Sequence, residues 1–293
     1  MAADVRLIER ARAKINLTLH INKRREDGWH DLESLVVFAG VADRLSLMPG
    51  DVLSLSMSGS GAAVLNAEAD NLVLRAAREL AARVPGLRFG AFHLDKELPI
   101  AAGIGGGSAD AAAALRLLAR ANDLALDDQR LMDAARATGA DVAVCVGSRA
   151  RMMRGVGGDL GPQLKLPPLY AVLVNPRVGV ETKAVFARLG LKPGESLGFG
   201  AHPQVHDGMS FDALLPLIKK GRNDMEDAAQ VIVPVINHVI AVLSAARGCK
   251  LARMSGSGAT CFGLFDSRRA ALTAARVVRR DHPDWWVAAT VLR

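Results

Sequence analysis

The 293-residue chain has few of the residues that disulfide-rich, metal-binding or membrane proteins depend on. It has three cysteines, Cys145, Cys249 and Cys261, and neither their odd number nor their spacing suits disulfides or a zinc site. No apolar run reaches the length of a membrane span, and the first residues lack the hydrophobic segment of a signal peptide. We therefore expect a cytoplasmic protein that does not contact a membrane.

Aromatic residues are also scarce, at 4% of the chain, with a single tyrosine. The net charge is +7, but the arginines are spread along the chain and the aromatic residues do not interleave with them. Nucleic-acid binding, which needs concentrated positive charge, is therefore not favoured. A basic surface also suits small polyanionic substrates, and we expect a small-molecule partner.

Length and composition predict two domains, because half of the residues are apolar and can form substantial cores. Glycines at 155–158 and the Pro167-Pro168 pair predict a boundary near residue 160, which gives domains 1–160 and 161–293. Strand and helix patterns mix in both halves without regular βαβ repetition. The predicted fold class is therefore α+β.

Apolar periodicity predicts the individual elements. Apolar and polar residues alternate over 13–21, which predicts a half-buried strand with Lys14 and Asn16 on its polar face. Further predicted elements include an apolar stretch at 32–47 broken at Asp43 and Arg44, a helix at 71–84 capped by Asp70 and a buried strand at 142–146. Helices are predicted at 182–189 and 231–246, a mobile loop at 194–208 and two strands around a turn at 251–265.

The glycine-rich segment 99–108 is the most informative local pattern. Four glycines within residues 103–107 precede an alanine-rich stretch that favours a helix. A glycine loop that opens a helix directs backbone N–H groups at an anion. A Walker A loop would place a lysine after the glycines, and a Rossmann fingerprint would place a glycine at Ser108. The segment predicts a nucleotide-phosphate site, and an ordinary glycine turn is the alternative.

Five further segments carry side chains suited to chemistry, although each has a purely structural explanation. A lysine on a strand is usually solvated, an aspartate between elements usually sits in a turn, and a glycine pair usually makes a tight turn. The segments are Lys14 with Asn16, Asp141 in 139–142, the turn of Ser255, Gly256, Ser257 and Gly258, the pair Trp29 and His30, and the polar stretch 222–226.

Together these segments resemble the GHMP kinases. Residues 99–108 are similar to the central motif of that family, 13–17 to its N-terminal motif and 254–260 to its C-terminal motif. The three occur in the family's order across almost the whole chain. The resemblance implies an N-terminal domain like ribosomal protein S5 domain 2, a ferredoxin-like C-terminal domain, and transfer of a phosphoryl group from ATP to an alcohol.

The resemblance also implies roles for individual residues. Asp141 would be the general base for the attacking alcohol, and Lys14 would assist it. ATP would be bound by Asn71 and by the loop residues Pro99, Ile100, Ala101, Ala102, Gly103, Ile104, Gly105, Gly106, Gly107, Ser108 and Ala109. The acceptor would contact Asn16, Trp29, His30, Thr182 and Phe186, and the turn at 255–258 would lie near the phosphates. Mg²⁺ would accompany ATP, bound mainly by phosphates and water, with Ser108 as the one protein contact considered, and no carboxylate site for it is evident.

Within this family, the Trp29-His30 pair implies an acceptor that carries a cytidine diphosphate group. An aromatic ring stacks on a pyrimidine, and an imidazole can hydrogen-bond its edge. Trp29 stands where a tyrosine is common, and Ala109 where a second serine is common. The alternatives are another GHMP kinase, such as one acting on homoserine or phosphomevalonate, and a non-catalytic member, which should lack Lys14 or Asp141. The expected assembly is a monomer or homodimer.

Overall fold

The computed structural model describes residues 5–61 and 71–293, which form two compact units. Of the described residues, the first unit comprises 5–13, 41–61, 71–100 and 105–148, and the second comprises 14–40, 101–104 and 149–293. Both units contain strands and helices, which confirms the predicted α+β class. The domain boundary near residue 160 stays a prediction.

The elements of the described residues follow in chain order. The strands are β1 (Leu7–Asn16), β2 (His20–Arg24), β3 (His30–Gly50), β4 (Ser54–Ser58), β5 (Phe89–Asp95), β6 (Arg151–Gly155), β7 (Asp159–Gln163), β8 (Leu169–Asn175), β9 (Cys249–Met254), β10 (Cys261–Phe265) and β11 (Trp286–Leu292). The helices are α1 (Leu72–Ala81), α2 (Gly106–Ala121), α3 (Gln129–Thr138), α4 (Val142–Gly147), α5 (Thr182–Arg188), α6 (Phe211–Lys220), α7 (Glu226–Ile232), α8 (Val235–Ala245) and α9 (Arg268–Asp281).

The first unit is built around helix α2. Residues 109–119 of this helix are all buried, because its alanines let neighbouring elements approach closely. Arg116 is buried among them and donates hydrogen bonds to the carbonyls of Cys145 and Val146, in the last turn of α4. This unit contains both parallel and antiparallel strand pairs. Strand β4 runs parallel to β5, and β5 runs antiparallel to the second half of β3.

The second unit has a hydrophobic core between antiparallel strands and helices. Strand β8 lies between β10 and β11, and β9 pairs with β10. Buried residues of β8, β10, α8 and α9 form the core, with Phe265, Val239 and Ala275 among its members. A second antiparallel group joins β2, the first half of β3, β6 and β7.

Strand β3 runs for 21 residues through the point where Asp43 is predicted to interrupt it. The prediction of a break is wrong because Asp43 is fully buried and bonded, rather than exposed in a turn. Its carboxylate accepts hydrogen bonds from the backbone N–H groups of Glu97 and Leu98 at 2.7 and 2.8 Å. A charged residue therefore continues the strand because other groups of the same unit satisfy it.

Two other predictions are wrong in element type or extent. Residues 142–146 form the short helix α4 rather than a strand, as periodicity cannot distinguish the two in a short apolar run. Residues 231–246 belong to two helices rather than one, because Pro234 lacks an N–H group and starts α8 after α7 has ended. The strand-turn-strand at 251–265 and the helix from Thr182 are confirmed.

Candidate active site

The glycine loop runs directly into the N-terminus of α2, which starts at Gly106. Gly105 stands before it with a φ of +60°, in the left-handed region that favours glycine. The first bond within the helix is donated by the Ala109 N–H to the Gly105 carbonyl at 2.8 Å. The backbone N–H groups of residues 106–108 therefore lie before the first hydrogen bond of the helix. N–H groups in this position can bind an anion.

The N-terminus of α1 lies close to this part of the loop. A Cβ atom added to Gly107 would lie 3.2 Å from the Cδ1 atom of Leu72, which is the first residue of α1. Asn71 caps α1, since its Oδ1 atom accepts a hydrogen bond from the Val73 N–H at 2.9 Å. The predicted cap, Asp70, lies outside the described residues. The first unit thus brings Asn71 and the helical end of the loop together.

The second glycine turn, 255–258, contacts the glycine loop at Gly103. The Ser255 hydroxyl donates to the Gly103 carbonyl at 3.2 Å, and the Thr260 N–H donates to the Ala102 carbonyl at 3.1 Å. Gly103 has a φ of +72°, and a Cβ there would lie 2.5 Å from the Ser255 carbonyl oxygen and 2.6 Å from Gly258. The two segments meet backbone to backbone, and a side chain at Gly103 would separate them.

Lys14 and Asn16 are both buried, with exposed fractions of 4% and 0%. The prediction of a half-buried strand over 13–21 is therefore wrong, because every residue of that range is buried. It is also wrong in extent, because β1 ends at Asn16 and β2 starts at His20. The Lys14 N–H donates to the Ile104 carbonyl at 2.9 Å, and the Asn16 N–H donates to the Ser255 hydroxyl at 3.1 Å. The first strand thus joins both glycine segments.

The Asn16 side chain has one bonded and one unbonded end. Its Nδ2 atom donates to the Ser34 hydroxyl at 2.7 Å. Within residues 5–61 and 71–293, its buried Oδ1 atom has no hydrogen-bond partner. Buried polar atoms are rarely left without a partner, so this oxygen can accept a hydrogen bond from a ligand.

Among the other residues predicted to bind the phosphoryl acceptor, His30, Phe186 and Thr182 contact neighbouring side chains, and Trp29 is exposed. The rings of His30 and Phe186 stack with their centres 4.4 Å apart and their planes 19° apart. The Thr182 and Ser257 hydroxyls lie 2.9 Å apart and hydrogen-bond. Trp29 is 61% exposed, in the turn between β2 and β3. Stacking of a base between Trp29 and Phe186 stays a prediction.

Burial and the charge of Arg24 lower the pKa of His30 below its usual 6.5. The imidazole is therefore neutral near pH 7, with one donor and one acceptor nitrogen. Such a ring can bond to a partner that presents both a donor and an acceptor.

Asp141 lies at the N-cap position of α4, after the turn at Gly139. This position results from the helix that replaces the predicted strand at 142–146, and it places the carboxylate at the start of a helix. An acidic group there interacts favourably with the helix dipole.

The first unit contains a cluster of three buried charged side chains that the sequence patterns do not predict. Lys96 Nζ lies 2.5 Å from Asp43 Oδ2 and 2.7 Å from Asp110 Oδ2. Burial lowers the pKa of Lys96, but the charges of the two carboxylates outweigh it and raise that pKa overall. Burial also raises the pKa of Asp110, with Lys96 opposing the shift. Because Asp43 also binds the N–H groups of Glu97 and Leu98, the cluster holds the start of the glycine loop to α2.

The described residues do not contain a group of three or more histidine, cysteine, aspartate or glutamate side chains that could bind a metal ion. None of their helices is long and apolar enough to cross a membrane.

Comparison with known proteins assigns the chain to a family. Residues 71–149 match the GHMP kinases N terminal domain, and residues 203–284 match the GHMP kinases C terminal model. A protein named 4-diphosphocytidyl-2-C-methyl-D-erythritol kinase, from Methylobacterium radiotolerans, is 58% identical over 98% of this chain and 99% of its own length. The chain belongs to the GHMP kinase family. It is therefore an ATP-dependent kinase.

Solved structures agree with this assignment. A crystal structure of 4-(cytidine 5'-diphospho)-2C-methyl-D-erythritol kinase aligns with a TM-score of 0.75 and 31% identity, over 98% of this chain and 99% of that one. A homoserine kinase from Cytophaga hutchinsonii aligns with a TM-score of 0.71 over 100% of this chain and 96% of that one. Since its identity is 18%, that second likeness concerns the fold alone.

Proposed function

We propose that this GHMP kinase transfers the terminal phosphoryl group of ATP to the 2-hydroxyl of 4-diphosphocytidyl-2-C-methyl-D-erythritol, in the non-mevalonate pathway to isoprenoid precursors. The observation that carries this proposal is the 58% identity over 98% of the chain to a protein named as the kinase for this acceptor. The named structure at 31% identity supports it.

The phosphates of ATP are bound by the glycine loop 99–109. Its last residues form the first turn of α2, where backbone N–H groups have no acceptor within the helix and can bind an anion. Gly103 lets this loop lie against the turn 255–258, and Ser255 bonds to both Gly103 and Asn16. Asn71 supports the nucleotide side from the cap of α1.

Mg²⁺ enters as part of the MgATP substrate. The described residues offer no group of three carboxylate, histidine or cysteine ligands, so they do not form a dedicated metal cage. Mg²⁺ in kinases commonly keeps several waters and binds substrate phosphates. The hydroxyl of Ser108, in the first turn of α2, is the group that we propose as its protein contact.

Asp141 accepts the proton of the attacking hydroxyl, and Lys14 stabilises negative charge at the reacting oxygens. Phosphoryl transfer depends on positioning and charge stabilisation more than on covalent chemistry, so one base and one cation suffice as chemical groups. A nearby cation also favours the ionised form of a carboxylate base. These two roles rest on the resemblance of 13–17 and 139–142 to the family.

The cytidine group is recognised by His30, Trp29 and Phe186. The neutral imidazole of His30 bonds to the edge of the cytosine, and the two aromatic rings stack on it. Asn16 supplies an unused buried acceptor oxygen for a hydroxyl or amino group of the substrate. Thr182, whose hydroxyl hydrogen-bonds to that of Ser257 in the turn 255–258, is a further contact that we propose for the acceptor.

A melting-temperature screen tests the cytidine site. We expect CDP and CTP to raise the melting temperature of the wild-type protein, and homoserine to leave it unchanged. A ligand at about 100 times its Kd adds about 2.7 kcal/mol to stability, which is a shift of several degrees. His30→Ala should lose the CDP shift but keep the ATP shift. His206→Ala, on an exposed loop residue, should keep both. A homoserine shift without a CDP shift would reject the cytidine site.

A further inference from the structure

The polar stretch 222–226, which follows α6 and ends at the first residue of α7, has no role in the proposed reaction although it stands out in the sequence. Its side chains are bonded to other segments of the second unit. Asp224 Oδ2 accepts a hydrogen bond from the Ile21 N–H at 2.6 Å. Glu226 Oε2 accepts one from the Met254 N–H at 2.7 Å. The segment therefore links β2 to the end of β9.

Asn223 makes the most specific contacts of this segment. It is 7% exposed, and its Nδ2 atom donates to the carbonyls of Met254 and Gly256, both at 2.9 Å. Its Oδ1 atom accepts a hydrogen bond from the Met225 N–H at 3.1 Å. An amide provides two donors and an acceptor in one plane, whereas aspartate has no donor when ionised. The site therefore uses the features that distinguish asparagine from its nearest isosteres.

The two carbonyls that Asn223 binds lie on either side of Ser255. The Ser255 hydroxyl accepts a hydrogen bond from the Asn16 N–H and donates one to the Gly103 carbonyl. Gly256 and Gly258 have φ values of +56° and +87°, so two of the four residues of this turn have wide conformational freedom. A fixed conformation of such a turn needs external bonds.

We propose that Asn223 is a positioning residue of the kinase site, which holds the turn 255–258 in the conformation that contacts Gly103 and Asn16. This inference rests on the proposed function, which assigns Gly103 to the ATP loop and Asn16 to the acceptor. Without the amide, two carbonyls at the turn lose their donors, and the turn relaxes to find others. Misplacement of substrate-binding groups by about 1 Å can reduce the rate about 100-fold.

The test compares Asn223→Ala with Ser267→Ala. Ser267 caps α9 in the same unit through a bond to the Ala270 N–H, and its loss destabilises that unit without changing the turn. For each variant we would measure the melting temperature, the Kd of a non-hydrolysable ATP analogue by calorimetry, and kcat with the cytidyl acceptor. We expect Asn223→Ala to raise the Kd at least fivefold and lower kcat at least tenfold. Ser267→Ala should change both by less than twofold.

An Asn223→Ala variant whose Kd and kcat stay within twofold of those of Ser267→Ala would overturn the inference. If Asn223→Ala is not recovered folded, Asn223→Ser takes its place with the same criteria. A cycle with Ser255→Ala separates an effect through the turn from general destabilisation. Two residues that act through one turn should give less than the sum of their effects, and additive effects would also overturn the inference.

The nucleotide measurement needs no acceptor, so it separates this inference from the proposed function. If the wild-type protein does not phosphorylate the cytidyl acceptor, the proposed function fails, and the Kd ratio of Asn223→Ala to Ser267→Ala still decides whether Asn223 positions the turn.

Discussion

Lys14 and Asn16 are polar residues that have lost nearly all contact with solvent. Burial of such groups costs free energy unless hydrogen bonds or charges offset it. The Oδ1 atom of Asn16, which has no partner among the described residues, therefore costs free energy that a hydrogen bond from the proposed acceptor would offset. At the scale of single residues, buried polarity is the feature on which the proposed site rests.

Asp141→Asn tests the general base. The amide keeps the shape of the side chain but cannot take the proton, so kcat should fall by about 10² to 10⁴ while both KM values stay within threefold. Steady-state kinetics with MgATP and the cytidyl acceptor measure this. Asp128→Asn, at the cap of α3 in the same unit, is the matched control, because asparagine caps helices equally well. Near-normal turnover of Asp141→Asn would reject the base.

Lys14→Ala tests the proposed cation at the reacting centre. Its loss should lower kcat by at least about 100-fold, since charge stabilisation acts in the transition state. Lys23→Ala removes an exposed lysine from β2 and should leave kcat unchanged. A rise in KM with unchanged kcat in Lys14→Ala would mean that this residue only binds substrate.

The candidate residues could be predicted from sequence where a motif carries them, and not where burial alone does. Lys14, Asp141 and the glycine loop belong to patterns with a fixed order along the chain. The cluster of Asp43, Lys96 and Asp110 draws partners from three separate segments. Hydrophobic periodicity indicates which residues avoid water. It therefore predicts that a charged residue such as Asp43 is exposed, even where that residue is buried and paired with an opposite charge.

At the scale of elements, the contact between Gly103 and the turn 255–258 is the structural basis of the proposed nucleotide site. The adjoining helix α2 starts earlier than its alanine run because Gly106, Gly107 and Ser108 already form its first turn. The prediction of helix α1 is confirmed, because its buried residues Val73, Ala76 and Leu80 form a stripe that is sufficient to identify a helix.

Gly103→Ala should disrupt this contact more than a left-handed backbone alone would explain. Gly190 has a φ of +70°, close to the +72° of Gly103, and a Cβ there would meet nothing within 4 Å. Gly190→Ala should therefore cost about 1–2 kcal/mol of unfolding free energy, which is the left-handed penalty alone. Gly103→Ala adds collisions with backbone atoms, so we expect a larger cost and at least a tenfold loss of ATP affinity. Urea unfolding and calorimetry measure both, and equal effects in the two variants would contradict the account.

His20, the first residue of β2, contacts the segment between α6 and α7 and the loop between α5 and α6. His20 Nε2 accepts a hydrogen bond from the Arg222 N–H at 3.1 Å, and the His20 ring lies 4.6 Å from that of His202. Burial, followed by the charges of Arg222 and His202, lowers the pKa of His20 to about 3. His20 is thus neutral in the folded protein and becomes protonated near pH 6.5 in the unfolded chain.

Because the folded pKa is depressed, the contribution of His20 to stability is lost as the pH falls below 6.5. Between pH 7 and pH 5, the wild-type protein should lose about 2 kcal/mol relative to His20→Gln, in which the side chain does not titrate. Urea unfolding at the two pH values measures this difference. His206→Gln, at an exposed position, should show no such difference from the wild type. A pH-independent gap between wild type and His20→Gln would disprove the assignment.

At the scale of the whole molecule, the order of three motifs along the chain predicts the GHMP kinase fold without the bounds of any helix or strand. The family comparison confirms this prediction. The compact units are each discontinuous in sequence, with Lys14 and residues 101–104 grouped with the C-terminal part. Composition and local glycine content cannot reveal such a division, because it depends on contacts between distant segments.

The choice of acceptor is the central claim, and it belongs to the whole molecule because family members share the fold but differ in substrate. The most direct measurement is a coupled ADP-release assay that compares kcat/KM for 4-diphosphocytidyl-2-C-methyl-D-erythritol, homoserine and mevalonate. We predict a preference for the cytidyl acceptor of at least about 10³-fold, since a site built to hydrogen-bond one substrate strongly rejects those that lack the partner. An equal or higher kcat/KM with homoserine or mevalonate would contradict the account.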